Sequence, residues 1–227
     1  MRILLLLFII VIIAAASYAA VYALYQLLVN FQPGRSKIKA DLQKMKAEIQ
    51  PFIDDLVPWT KEEMELLSLN QINKTVKKGF VSTAKGVITS IYHEPLIAWS
   101  YKRYVSPENN AVIYARSSHH EFVFRIKKDK TEFKIDDHVI GELRENGILY
   151  SSKTNRLMAR INKSKDELLL PVLVGDKEVA SLINPNLTTK TNPRAFEFLS
   201  EMNNEEEAVL LSMAIFEMVK KETPVKK

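Results

Sequence analysis

The 227-residue chain has no cysteine, only six glycines and only four histidines. Without cysteine it cannot form disulfides, thiolate metal sites or a cysteine nucleophile. It also lacks a P-loop, a dinucleotide-binding fingerprint and a Gly-x-Ser-x-Gly nucleophile elbow, the motifs that mark several large enzyme classes. The net charge of +5 is too small to indicate a nucleic-acid partner. We therefore expect a non-enzymatic protein without catalytic residues, cofactor, metal or nucleic acid.

Residues 1–30 predict a membrane anchor. The segment from Ile3 to Val29 has no charged residue, and a spanning helix needs about 20 apolar residues. The core of a cleaved signal peptide is shorter, roughly 7–15 residues, but the small residues between Ala14 and Ala23 leave cleavage open as the alternative. Basic residues are more frequent after the segment than before it. The positive-inside rule therefore predicts a single-pass protein with a cytoplasmic C-terminal domain, at the inner membrane in a bacterium.

Residues 31–78 predict a helical stalk or linker. Its apolar residues recur with alternating spacings of four and three, the a/d pattern of a coiled coil: Ile38, Leu42, Met45, Ile49 and Phe52. Only about two heptads are present, whereas coiled coils usually need three to four. Two interpretations stay open, an amphipathic helix lying on the following domain and a stalk that self-associates through residues 38–56. Thr60 and Glu63 have capping-box spacing and predict a second short helix that continues through Ile72.

The periodicity changes from helical towards two after Gly79, which predicts an antiparallel β meander. The predicted strands number about ten: Phe80–Ile91, Leu96–Val105, Ala111–Arg116, Glu121–Ile126, Glu132–Asp136, Val139–Arg144, Ile148–Ser151, Arg156–Ile161, Leu168–Val174 and Glu178–Ile183. Asn146-Gly147 and Gly175-Asp176 are typical hairpin turns. Many short strands joined by hairpins indicate a closed barrel or a sandwich. After the strands, Asn192-Pro193 predicts a short helix with proline at its first position.

The C-terminal stretch from Asn203 to Lys221 predicts a buried helix. Ten of the twelve residues between Ala208 and Val219 are apolar, and a helix that is apolar almost all round is buried. That run is about 18 Å long, too short for the ~30 Å hydrocarbon core of a bilayer. We therefore expect the sheet of residues 79–227 to curl around this helix, giving a mainly β fold with a helix inside a barrel.

This layout resembles the tubby C-terminal, phospholipid-scramblase and LURP-one-like superfamily. The strand pair Phe133–Asp136 and Val139–Leu143, followed by Gly147–Tyr150, is similar to the repeated pairs of that superfamily, and the likeness covers residues 79–221. The chain departs from scramblases in lacking their Asp-rich calcium-binding segment and palmitoylated cysteines, and in having its apolar segment before the barrel. The resemblance implies the fold and a membrane-proximal, lipid-related or scaffolding role, and it implies no site residue.

Two kinds of side-chain cluster are candidates for a site. Metal-ligand residue types occur together in His119-His120-Glu121 and in Asp136-Asp137-His138. Adjacent residues of a strand face opposite sides of the sheet, so neighbouring side chains would not bind the same metal. A metal-dependent hydrolase that uses these residues is therefore the least favoured hypothesis. His93-Glu94 is more simply a turn. The basic cluster Arg125, Lys127, Lys128 and Lys130, with Lys77, Lys78, Lys102 and Arg103, predicts contacts with anionic lipid headgroups. The leading hypothesis is a membrane-anchored lipid-binding or scaffolding protein; the alternative is an assembly protein that forms homo-oligomers through residues 38–56.

Overall fold

The computed structural model describes residues 2–31, 33–60, 62–79, 81–106, 108–162 and 166–223, without the side chains of residues 2, 4–6 and 62. The helices are α1 (Arg2–Phe31), α2 (Arg35–Ile53) and α3 (Asn204–Glu222), with a short 3₁₀ helix at Glu62–Leu66. The strands are β1 (Leu67–Lys77), β2 (Ser82–Ser90), β3 (Pro95–Arg103), β4 (Asn110–Ser117), β5 (Glu121–Lys127), β6 (Lys130–Ile135), β7 (His138–Arg144), β8 (Ile148–Ser151), β9 (Leu157–Ile161), β10 (Leu169–Val174), β11 (Lys177–Ile183) and β12 (Phe196–Leu199).

The twelve strands form one antiparallel sheet in chain order, and this sheet curls into a nearly closed barrel. The segment before β12 returns to β1, where Leu69 N donates to Pro193 O (3.0 Å) and Ala195 N donates to Leu67 O. Ser68 also pairs with Arg194 as an isolated bridge. Because a barrel leaves few sheet edges unpaired, this closure decides between the two architectures that the sequence left open.

α3 lies inside the barrel, as the sequence predicted. Its residues from Val209 to Val219 are buried except Glu217, which is partly exposed, and Ile215 has no exposed surface. The ring of Phe216 packs on Phe124 from β5 and Phe133 from β6, with centroids 5.6 and 5.3 Å apart. Asn203 and Glu206 form a complete capping box at the first turn. The helix therefore supplies the apolar filling that a barrel of this size needs.

α2 packs across the outside of the barrel on β3 and β4. Met45 and Ile49 are buried there against Val87, Ala98 and Tyr114. The heptad residues thus face the barrel, which matches the interpretation of an amphipathic helix lying on the domain. Self-association through residues 38–56 stays a prediction, and it would require this face to separate from the barrel.

The ten predicted strands correspond to β2–β11, and the structure adds two more. The predicted second helix is wrong beyond Leu66, because Leu67–Lys77 forms β1 and belongs to the barrel rather than to a stalk. The helix predicted to follow Pro193 is wrong as well, because Phe196–Leu199 forms β12. Register shifts interrupt the pairing of both strands with their neighbours. Each shift breaks the alternation of inward and outward residues that identifies a strand in a sequence.

α1 is a continuous apolar helix, and its side chains from Leu7 to Tyr25 are exposed. Within it, Leu7–Phe31 is 25 residues long with a mean hydropathy of 2.5, and its apolar 18-residue window has no buried residue. By length and composition it is able to cross a membrane. A signal sequence near an N-terminus has the same properties, so retention of the helix stays a prediction.

Candidate functional site

The two ends of the barrel carry opposite charge. Turns after β1, β3, β5 and β7 and the last turn of α3 lie at one end, called the basic end here. Its basic residues are Lys77, Lys78, Arg103, Lys127, Lys128, Lys130, Arg144, Lys220 and Lys221, and its acidic residues are Glu108, Asp129, Glu145 and Glu222, together with Asp166 and Glu167 in the turn after β9. Consecutive turns of an antiparallel meander alternate between ends, so residues remote in sequence converge there.

The opposite end, called the acidic end, contains the turns after β2, β4, β6, β8 and β10 and the first turn of α3. Its acidic residues are Glu94, Asp136, Asp137, Asp176, Glu201, Glu205, Glu206 and Glu207, and its basic residues are Lys153, Arg156 and Lys177. The dipole of α3 is matched to this separation of charge. Its positive end lies beside the three glutamates of the first turn at the acidic end, and its negative end lies beside Lys220 and Lys221 at the basic end.

The chain leaves α1 near the basic end. Asp41 of α2 is buried, and its carboxylate accepts hydrogen bonds from Lys102 Nζ at 2.8 Å and Tyr104 Oη at 3.0 Å, both at the end of β3. Lys37 Nζ lies 3.1 Å from the same carboxylate. From this contact α2 runs towards the acidic end, where Lys46 Nζ lies 2.7 Å from Glu121 Oε2, so its first residue, Arg35, lies on the basic side of Asp41. Phe31 is at most about 14 Å from Arg35, at ~3.6 Å per residue. The end of the membrane-spanning candidate therefore lies close to the basic end.

The same carboxylate fixes α2 to the barrel. Burial raises the pKa of Asp41, but hydrogen bonds from Lys102, Lys37 and Tyr104, together with the charge of Lys102, outweigh burial and hold that pKa below its ordinary value. The carboxylate is thus ionised at neutral pH and joins two cations and a phenol at the contact. The contact sets where the membrane helix leaves the barrel.

A cavity of about 560 Å³ opens at the basic end, between the β5–β6 hairpin, the end of β7 and the last turn of α3. Its rim is formed by Lys128, Lys130, Arg144 and Lys220, and its floor by the buried side chains of Tyr101, Ile126, Leu143 and Phe216. Thr131 and Thr223 contribute hydroxyl groups to the wall. Asp129 and Glu145 are the acidic residues of its lining. The lining thus joins an apolar floor to a rim with more positive than negative side chains.

Several rim cations are already oriented by neighbours. Lys130 Nζ contacts both carboxylate oxygens of Glu142, at 2.9 and 3.1 Å. The guanidinium of Arg144 lies 4.1 Å from the ring centroid of Tyr150, and Lys220 Nζ lies 5.7 Å from that of Phe216. Burial raises the pKa of Tyr101 to about 12. Its hydroxyl is therefore neutral at physiological pH and remains a hydrogen-bond donor at the cavity floor.

The predicted basic cluster is only partly at the surface. Lys127, Lys128 and Lys130 are exposed on the β5–β6 hairpin, whereas Arg125 is 6% exposed. The Nη1 atom of Arg125 donates to the carbonyls of Ala111 (2.9 Å) and Ile126 (2.8 Å). The prediction that Arg125 contacts headgroups is therefore incompatible with its position, because Tyr104 covers its guanidinium at 5.5 Å. Of the other predicted basic residues, Lys102 is held by Asp41.

The histidine and aspartate clusters meet at the acidic end. His120 Nδ1 lies 2.6 Å from Asp136 Oδ2, and His138 Nδ1 lies 2.8 Å from the Asp136 carbonyl oxygen. Burial raises the pKa of Asp136, but hydrogen bonds from the Glu121 amide and the His120 side chain bring it below its ordinary value. Across the described residues, no group of three or more His, Asp or Glu side chains has metal-binding geometry. His93 Nδ1 lies 3.4 Å from the Asn70 amide, within a turn.

Arg144, Lys220 and the cavity that joins them to the hairpin lysines were not predicted from the sequence. The sequence does contain one signal that these residues converge. In a meander, every second turn lies at the same end. Sorting the predicted turns by this rule brings the turns with Lys77, Lys127 and Arg144 to one end, although the turn after β8, with Lys153 and Arg156, falls at the other.

Comparisons with known proteins add no assignment. No protein-family model matches the chain, and no curated protein or solved structure matches it either. The resemblance to the tubby, scramblase and LURP-one-like superfamily stays a prediction that rests on the layout of strands and helix.

Proposed function

We propose that the chain is a single-pass membrane protein that holds its barrel on an anionic membrane surface and acts without catalysis, as a lipid-headgroup-binding and scaffolding module. The observation that carries this proposal is the charge separation along the barrel, with the end of α1 close to the basic end. Exposed lysines of that end, Lys127 and Lys128 among them, face the headgroups in this arrangement. The positive-inside bias favours the cytoplasmic leaflet, which carries the anionic lipids.

Modest contacts are sufficient for such a tethered domain. A basic residue near an anionic surface contributes about 1 kcal/mol, and this attraction falls off within a Debye length of about 8–10 Å. The short connection between α1 and α2 keeps the barrel at high local concentration beside the bilayer, so weak contacts select its orientation. The acidic end is repelled by the same surface, and the barrel therefore presents that end to other molecules.

Lysine reactivity in lipid nanodiscs tests this proposal on the full chain. We expect an amine-reactive reagent to label Lys127 and Lys128 several-fold more slowly in anionic nanodiscs than in zwitterionic ones, with the difference removed by 1 M salt because screening shortens the Debye length to about 3 Å. Lys153, exposed at the acidic end, is the internal control and should label equally in both. Equal labelling of Lys127 and Lys128 in the two lipids would refute the proposal.

A further inference from the structure

The cavity at the basic end has two chemically different parts. Its floor consists of side chains that are at most 8% exposed, Tyr101, Ile126, Leu143 and Phe216. Its rim carries Lys128 and Lys220 among its cations. Binding pockets for small molecules are commonly of this size, mainly apolar, with a few polar groups that orient the ligand. An apolar floor below a cationic rim suits a molecule with an apolar body and one anionic end.

The volume limits the size of that molecule. A water molecule occupies about 30 Å³, so a cavity of about 560 Å³ has space for an alkyl chain of moderate length with a small headgroup. It has no space for a lipid with two long chains. The cavity also opens on the end of the barrel from which α1 departs, so a molecule entering it from the membrane surface has a short path.

We propose that this cavity binds a single-chain anionic amphiphile, with its alkyl chain against Leu143 and Phe216 and its phosphate between Lys128 and Lys220. A lysine ammonium is a suitable point charge for phosphate, and the Thr131 and Thr223 hydroxyls stand nearby as further polar partners. This inference deepens the proposed function and rests on it for the source of the ligand, since a monoacyl phospholipid comes from the bilayer and a free alkyl phosphate from solution.

The backbone of the hairpin supports a functional placement of Lys128. Its φ of 48° is in the left-handed region, which glycine, asparagine and aspartate adopt more readily than lysine. A bond from Lys128 N to Asn109 O (2.9 Å) connects this turn to the segment before β4. The turn therefore holds Lys128 at the cavity rim, whereas its neighbour Lys127 is exposed outside the cavity.

Photocrosslinking tests the inference on the full chain in nanodiscs. The probes are a dodecyl phosphate and a monoacyl glycerophosphate, each with a diazirine near the end of its chain, and crosslinked peptides are identified by mass spectrometry. We expect both probes to label peptides containing Leu143 or Phe216, with excess unlabelled probe abolishing this signal. If only the monoacyl glycerophosphate labels them, the site takes its ligand from lipid; labelling of neither peptide by either probe would overturn the inference.

Three variants make the test specific. Thr131→Phe fills the cavity without changing charge, and the double variant K128Q/K220Q removes two rim cations; each should lower floor labelling at least fivefold. Lys153→Gln, exposed at the opposite end of the barrel and outside the cavity, should leave it unchanged. Circular dichroism establishes whether each variant is folded. If Thr131→Phe does not fold, the floor labelling of K128Q/K220Q alone tests the site. Floor labelling that both blocking variants leave unchanged would refute the site.

The lysine-reactivity measurement separates the two proposals. Protection of Lys127 by anionic lipid without floor labelling would remove the cavity ligand and leave membrane docking in place. Floor labelling by dodecyl phosphate in zwitterionic nanodiscs, with no protection of Lys127 in anionic ones, would support the cavity and remove the docking of the barrel.

Discussion

Substitutions of Ile215 test directly whether α3 fills the barrel. The side chain of Ile215 has no exposed surface and lies in the middle of α3, among residues from strands around the barrel. Shortening it to valine should cost about 1 kcal/mol and to alanine about 2–5 kcal/mol. For a domain of this size about 1 kcal/mol lowers Tm by roughly 2–4 °C. We therefore expect a Tm decrease of that order for Ile215→Val and one several times larger for Ile215→Ala.

Ile215→Asp should prevent folding of the barrel. It adds the cost of an unpaired buried polar group, roughly 2–7 kcal/mol, to the loss of the isoleucine, and the sum approaches the total stability of an ordinary domain, about 5–15 kcal/mol. The assay is far-ultraviolet circular dichroism and thermal unfolding of the detergent-solubilised chain. Asp55→Asn, at an exposed position after α2, is the control and should melt as the wild type does. A folded Ile215→Asp variant with an unchanged Tm would refute the position of α3.

Further predictions concern the contact of α2 with the barrel and the close approach of two strands. Asp41→Asn should cost about 1.5–3 kcal/mol at neutral pH, the value of hydrogen bonds to a charged group. The folded-state pKa of Asp41 is lowered, so its contribution to the free energy of unfolding is present above the unfolded pKa of about 3.9 and is lost as the pH falls through the folded pKa. The free energies of unfolding of variant and wild type, from denaturant titrations, should therefore converge below about pH 4. The control Asp55→Asn, at an exposed position, should show no difference from wild type at any pH. Gly141→Ala places a methyl group 2.3 Å from the Tyr150 carbonyl oxygen and should lower stability by about 1–3 kcal/mol. Gly79→Ala, whose added Cβ would meet nothing nearer than the Val81 carbonyl oxygen at 3.6 Å, should be neutral by the same titration, and equal effects of the two alanines would contradict the β7–β8 packing.

Much of the fold could be predicted because local signals and tertiary structure agree. The apolar run of α3 and its Asn203 cap both specify a buried helix. Gly175 has positive φ, 60°, as the predicted Gly175-Asp176 turn requires. Gly147 also has positive φ, 79°, but Asn146 does not, so this hairpin does not have the type I′ turn that Asn-Gly predicts. The ten predicted strands were recognised although four of their pairings contain a register shift, β2–β3, β6–β7, β8–β9 and β10–β11.

The missed features depend on contacts between distant residues. β1 contains two register shifts, so Leu67 and Ile72 do not alternate as strand residues should and their spacing was interpreted as helical. β12 is four residues long and, unlike the equally short β8, which follows Asn146-Gly147, has no hairpin-turn signal beside it. Arg125 has the strand position of an outward residue, and only the packing of Tyr104 over it shows that it is buried.

The candidate site was predicted in part for the same reason. The hairpin lysines are local in sequence and were identified from their charge and their turn. The cavity also needs Arg144 from β7 and Lys220 from α3, and the sequence does not show that these residues converge with the β5–β6 hairpin until the strands are sorted by direction around the barrel.

The orientation of the barrel on the membrane tests the central claim most directly. Because the chain has no cysteine, Lys127→Cys and Lys153→Cys each introduce a single spin-label site, at the basic and the acidic end. Strands of about eight residues tilted by about 40° separate the ends by roughly 20 Å. In anionic nanodiscs containing a nickel-chelating lipid, relaxation enhancement should be strong for the label at residue 127 and weak at residue 153. Equal enhancement at the two sites, or the reverse order, would contradict a barrel docked through its basic end.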